Sequence, residues 1–130
     1  MQGKESIYET ELFVPIVDKI KKLAKDDNIR SIRIIADHLR SAVLILMDGI
    51  LPSNLEQGYV LRRLIRTAIR HGRLLGIEED FTEEIAEEII KIYSKDYGAL
   101  KRKRKIILDE LKKEEIRFKK TLTFGLRQFE

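Results

Sequence analysis

Apolar residues recur along this chain three and four positions apart and almost never two apart, the periodicity of α-helices rather than strands. The spacing predicts a helix over residues 11–25, with Leu12, Ile16, Ile20 and Leu23 inward and Pro15 near its start. Asp26-Asp27-Asn28 breaks it. A second helix is predicted over residues 29–48, burying Ile32, Ile35, Ala36, Leu39, Val43 and Leu46, with Gly49 as its stop. A turn around Leu51-Pro52-Ser53-Asn54 leads to a third, which buries Leu61, Leu64, Ile65, Ala68 and Ile69 and ends near Leu75-Gly76. The fourth opens at Asp80, where Asp80 and Glu83 have capping-box spacing; it carries Ile85, Ile89 and Ile92 and stops near Gly98. From Leu100 to the chain end, Ile107, Leu111, Phe118, Leu122 and Phe129 alternate at fours and sevens, a seam for another helix. The expected fold is all-α: about five helices in a compact bundle with a long C-terminal helix, one domain over residues 1–130.

Composition narrows the classes. With 43% hydrophobic residues among 130, a packed core is within reach despite 37% charged residues. No cysteine is present, so disulfides and thiolate metal sites are excluded. No stretch is long and apolar enough to span a membrane, and Met1-Gln2-Gly3-Lys4 does not begin a signal peptide, so the expected location is cytoplasmic with no membrane partner. The net charge of +4 is modest, so its distribution matters more.

That distribution is uneven on the third helix, which has five arginines and no acid between Glu56 and Glu78. At about 100° per residue, Arg62, Arg73, Arg66, Arg70 and Arg63 share an arc of roughly 100° opposite the apolar side. A solvated basic face accounts for the periodicity equally well. The absence of acids tilts the reading towards a polyanion, because exposed structural helices usually mix signs for i,i+4 pairing. Arginine also matches phosphate oxygens in bidentate geometry. Beside the stripe, Ser53 or Asn54 could simply order the turn. The Asn54 amide, however, both donates and accepts, which equips it to read a base edge as a lone cation cannot. RNA is the candidate partner.

Other candidates carry less. His38 follows Asp37, but sequence neighbours do not face each other on a helix, and a histidine bonded to a neighbouring element is the expectation. His71 reads as a helix C-terminal residue interacting with the dipole. Two distant histidines make no zinc site, and no carboxylate spacing points to magnesium. Lys101-Arg102-Lys103-Arg104-Lys105 points all round its helix and reads as a solvated start rather than a phosphate site. No phosphate-binding glycine loop, nucleophile with its base, or metal motif is present.

Several ordered segments together resemble the alanyl-tRNA synthetase family: Ile35-Ala36-Asp37-His38-Leu39-Arg40-Ser41-Ala42, Asp48-Gly49-Ile50-Leu51-Pro52-Ser53-Asn54, Gly58-Tyr59-Val60-Leu61-Arg62-Arg63-Leu64-Ile65-Arg66 and Ala68-Ile69-Arg70-His71-Gly72. Flanking them, Tyr8-Glu9-Thr10-Glu11-Leu12-Phe13, Glu114-Glu115, Phe118, Thr121-Leu122 and Gly125-Leu126 extend the likeness over essentially the whole chain. The resemblance implies a helical tRNA-recognition domain cut from a larger synthetase, just after its class II catalytic core. That core's Gly-x-Gly-x-Glu-Arg motif is missing here, as are the editing domain's metal ligands, so the chain alone is expected to be inactive. ATP, magnesium and an editing-domain zinc are expected only in the parent, with no cofactor in this chain. Implied partners are the acceptor stem of alanine tRNA and the parent's catalytic and editing domains, with self-association through the C-terminal helix as a further expectation.

The family reads a G·U wobble pair in the acceptor stem through an asparagine that corresponds to Asn54. The Asn54 carbonyl would accept from the guanine amino group in the shallow minor groove of A-form RNA. Arg62, Arg63, Arg66, Arg70 and Arg73 would hold the backbone. The family pairs the asparagine with an aspartate further along, beyond Glu130, so this chain would carry half of the reader. Thr67 departs from the family, which often has arginine there. The competing reading is a bracing module, with Phe118, Leu122 and Phe129 docking elsewhere in the parent and no RNA binding of its own.

Overall fold

The computed structural model describes the backbone of residues 2–128 and the side chains of residues 11–122. The described residues form α1 (Gln2–Leu23), α2 (Ile29–Met47), α3 (Glu56–Leu74), α4 (Thr82–Tyr93), a single turn α5 (Ala99–Arg102) and α6 (Arg104–Gln128), with no strand among them. The all-α bundle with a long last helix is as its periodicity predicts. No helix among the described residues is long and apolar enough to cross a membrane.

The second helix is central. It lies along α3 and also touches α1, α4, α5 and α6. Its six predicted core residues, Ile32, Ile35, Ala36, Leu39, Val43 and Leu46, are all buried. Burial of each large aliphatic side chain contributes about 1.5–3 kcal/mol. Asn28 starts the helix by accepting the Ser31 N–H at 3.2 Å, and Gly49, with φ of 93°, ends it in the left-handed region. The third helix runs antiparallel to it: Ser31, at the start of α2, bonds His71, at the end of α3. Leu61, Ile65, Ala68 and Ile69 face this core, and Leu64 is half-buried.

Four expectations need correction. The first helix starts well before residue 11, so Pro15 lies inside it rather than near its start. Pro15 is exposed, and water can satisfy the carbonyl one turn back that loses its N–H partner. The fourth helix has no Asp80–Glu83 capping box; its N-cap is Phe81, which makes no side-chain cap bond. The cap comes from α6 instead. The buried Glu115 carboxylate accepts the N–H groups of Phe81 and Thr82, each at 3.1 Å, and the Thr82 hydroxyl. Asp80 pairs instead with Lys119.

The basic run is not simply solvated either. Lys103 separates α5 from α6 and donates to the Met47 carbonyl at the end of α2, at 2.8 Å, while Arg104 pairs with Glu87. Last, the α6 seam is already used inside this chain. Ile107, Leu111 and Phe118 belong to the buried core, Leu122 packs against it, and Phe129 lies outside the described residues.

Candidate nucleic-acid interface

The turn before α3 is held on the helix by an absence of side chain. Gly58 is buried, and a Cβ there would stand 2.1 Å from Ser53 Oγ and 2.7 Å from the Leu51 carbonyl oxygen. With only hydrogen at that position the turn folds back, and Ser53 donates its N–H to the Gly58 carbonyl at 3.1 Å. Ser53 Oγ accepts the Leu55 N–H at 3.2 Å. Glu56, the first residue of α3, has φ of 50°, a left-handed conformation that is uncommon for a residue with a side chain. Asn54 is thereby set on the surface, beside the first turns of α3.

The arginine stripe divides into two groups. Arg62 and Arg66 turn towards α6, where the Glu114 carboxylate, only 1% exposed, accepts from Arg62 Nε at 3.3 Å and Arg66 Nε at 2.7 Å. Arg117 reaches the same carboxylate at 3.3 Å. The absence of nearby acids, which tilted the reading towards a polyanion, therefore does not leave Arg62 and Arg66 unpaired. After Glu56 no acid occurs on α3 itself, but one arrives from a helix 48 residues away. Three guanidinium groups on one carboxylate still leave positive charge in excess.

Phe118 supports the same face from α6, with the Arg66 guanidinium 4.9 Å and that of Arg70 6.0 Å from its ring centre. Arg63, Arg70 and Arg73 are exposed, and Arg63 lies 5.9 Å over the Tyr59 ring. Arg62 is the link between the groups. Its Nη1 donates to Asn54 Oδ1 at 2.6 Å while its Nε is engaged by Glu114. The surface so formed can meet a polyanion with fixed guanidinium forks and present an amide beside them.

A model of the family described as tRNA synthetases class II (A) matches residues 1–130. The chain belongs to that family. It is 44% identical to an alanine–tRNA ligase of Borreliella afzelii (strain PKo), with 99% of this chain and 23% of that protein covered. An alanine–tRNA ligase of Prochlorococcus marinus (strain MIT 9301) is 45% identical, over 96% of this chain and 15% of that protein. The likeness to alanyl-tRNA synthetases drawn from the motifs therefore holds, and the chain spans about 15–23% of the length of these relatives.

The histidines of this synthetase chain do not behave alike. His71 Nδ1 lies 3.0 Å from Ser31 Oγ, a tertiary partner rather than the helix dipole alone. Its pKa is lowered from 6.5, first by burial and then by the charges of His38, Arg30 and Arg70. His38 lacks the expected bond to a neighbouring element at Nδ1, which is buried without a hydrogen-bond partner and stands 3.8 Å from Asp37. It lines a hollow of about 150 Å³ with Val60, Arg63, Leu64 and Thr67.

Glu114 and Phe118 are the site-forming residues that helix-by-helix reading missed. A signal was present. Glu114 and Glu115 stand three and four residues after Leu111, and four and three before Phe118, so both lie on the apolar face of α6. Two carboxylates on a buried stripe require cations or N–H donors from elsewhere in the fold.

Proposed function

We propose that this chain is the helical part of an alanine–tRNA ligase that grips the acceptor stem of alanine tRNA and helps the parent enzyme recognise its G·U wobble pair. The parent attaches alanine to tRNA at the expense of ATP; this chain contributes binding. Arg63, Arg70 and Arg73 hold phosphates, Arg62 and Arg66 add their outward nitrogens, and Asn54 meets the base pair in the minor groove. The observation that carries the reading is an exposed amide bonded to a basic helix face, the division between identity and grip seen where nucleic acids are read.

The test is binding of the chain to an acceptor-stem hairpin with G·U against one with G·C, at two salt concentrations. Salt-sensitive binding with a preference for G·U supports both parts of the reading. Equal, salt-sensitive binding leaves the arginine grip and removes base-pair reading. No binding at low salt favours the second reading, a bracing module. That reading has its own support in Leu51, Leu55 and Val60, which are exposed around the same turn and suit a protein contact.

A further inference from the structure

Asn54 does not hold itself in place. Its side chain is on the surface, where an amide normally rotates freely between water partners. Here its oxygen accepts from Arg62 Nη1 at 2.6 Å. Arginine has five N–H donors and no acceptor, so only the amide oxygen can face it. That settles which end of the amide points inward and leaves the NH₂ group turned away from Arg62.

Arg62 is itself fixed. It is largely buried, and its Nε is bound to Glu114, which is 1% exposed and carries Arg66 on its other side. The three residues form a line from the α3–α6 contact to the surface. A buried carboxylate orients a guanidinium, and the guanidinium orients an amide. The planar guanidinium makes this possible, because Nε and Nη1 point in different fixed directions and serve two partners at once. A lysine has one nitrogen on a flexible stem and no such fixed pair of directions.

We propose that Arg62 and Glu114 are positioning residues for Asn54, holding its amide so that its NH₂ donors and one remaining oxygen lone pair face the RNA minor groove. This rests on the reading of Asn54 as the base-pair reader. It changes the part played by two residues: Arg62 serves recognition through Asn54 more than phosphate grip, and Glu114, which touches no RNA, contributes to specificity. The free donors suit an acceptor in the groove, such as a pyrimidine O2 or a ribose hydroxyl oxygen.

The experiment is a double-mutant cycle on the 130-residue chain. Arg62→Lys, Asn54→Ala and the double variant are titrated with G·U and G·C hairpins, with folding checked by circular dichroism. Arg62→Lys keeps the charge and removes the two-partner geometry. It is expected to lower the G·U preference, the ratio of the two affinities, by about five- to tenfold, the scale of one net hydrogen bond, over and above any loss common to both stems. In the Asn54→Ala background the same substitution should produce no further loss of preference. Glu114→Gln should lower the preference in the same direction, with its effect on stability read separately by urea titration.

Arg62→Lys weakening both stems equally, or keeping the preference that Asn54→Ala loses, overturns the inference and leaves Asn54 as the reader. A wild-type chain that shows no preference, with Asn54→Ala unchanged from it, overturns the reading of Asn54 and the inference with it.

Discussion

Gly58→Ala separates the turn from the helix it rests on. The new methyl would fall 2.1 Å from Ser53 Oγ and 2.7 Å from the Leu51 carbonyl oxygen. The hydroxyl can rotate aside, but the carbonyl is backbone and moves only if the turn lifts. Lifting it breaks the Ser53 N–H bond to the Gly58 carbonyl and the Arg62 bond to Asn54. Each such bond is worth about 0.5–1.5 kcal/mol net, so the two together cost about 2 kcal/mol. Alanine returns about 0.5–1 kcal/mol through its higher helix propensity. The expected net loss is about 1–1.5 kcal/mol. In urea unfolding followed by circular dichroism, the midpoint should fall by about 0.5 M with the slope unchanged. The preference for the G·U hairpin should fall towards that of Asn54→Ala, because the amide is no longer seated. A Gly58→Ala chain as stable as wild type or more so, with its stem preference intact, would refute the claim that this close approach builds the site.

Other perturbations test the supporting structure. Gly72→Ala places a methyl 2.4 Å from the buried Phe81 ring, so a substitution that usually stabilises a helix should cost about 1–3 kcal/mol, measured by the same unfolding assay. Glu115→Ala leaves two N–H groups and a hydroxyl buried without their partner and should destabilise by about 2–4 kcal/mol, with thermal melting as the readout. His71 favours its neutral form in the fold, so its contribution is complete above pH 6.5. That contribution falls as the pH drops through 6.5, where the unfolded chain protonates first, and on through the lower folded value. His71→Gln should flatten this part of the stability–pH curve, and an unchanged slope would remove His71 as its cause.

The legible and the hidden parts of this molecule differ in range. Helical periodicity acts between residues three and four apart, so it picked out the buried faces of α2 and α3 residue by residue and placed the arginines on one side of α3. The same logic put the turn with Asn54 at the head of that helix. What periodicity lacks is knowledge of which helix comes to lie beside which. Arg62 and Glu114 are 52 residues apart, and nothing local distinguishes an arginine that will meet a buried carboxylate from one that will meet water. The Asp80–Glu83 spacing was locally adequate for a cap and lost to Glu115, a carboxylate already committed to the interior and stabilised there by the N–H groups it captures. The seam on α6 was likewise correct as an apolar face, but as far as Leu122 its partners were this chain's own helices. By itself, then, the sequence determined the helices, their inward faces and the family to which they belong. Tertiary packing alone decided how the arginines are shared between the interior and the surface, because a charge takes its role from whatever the fold brings within hydrogen-bonding distance.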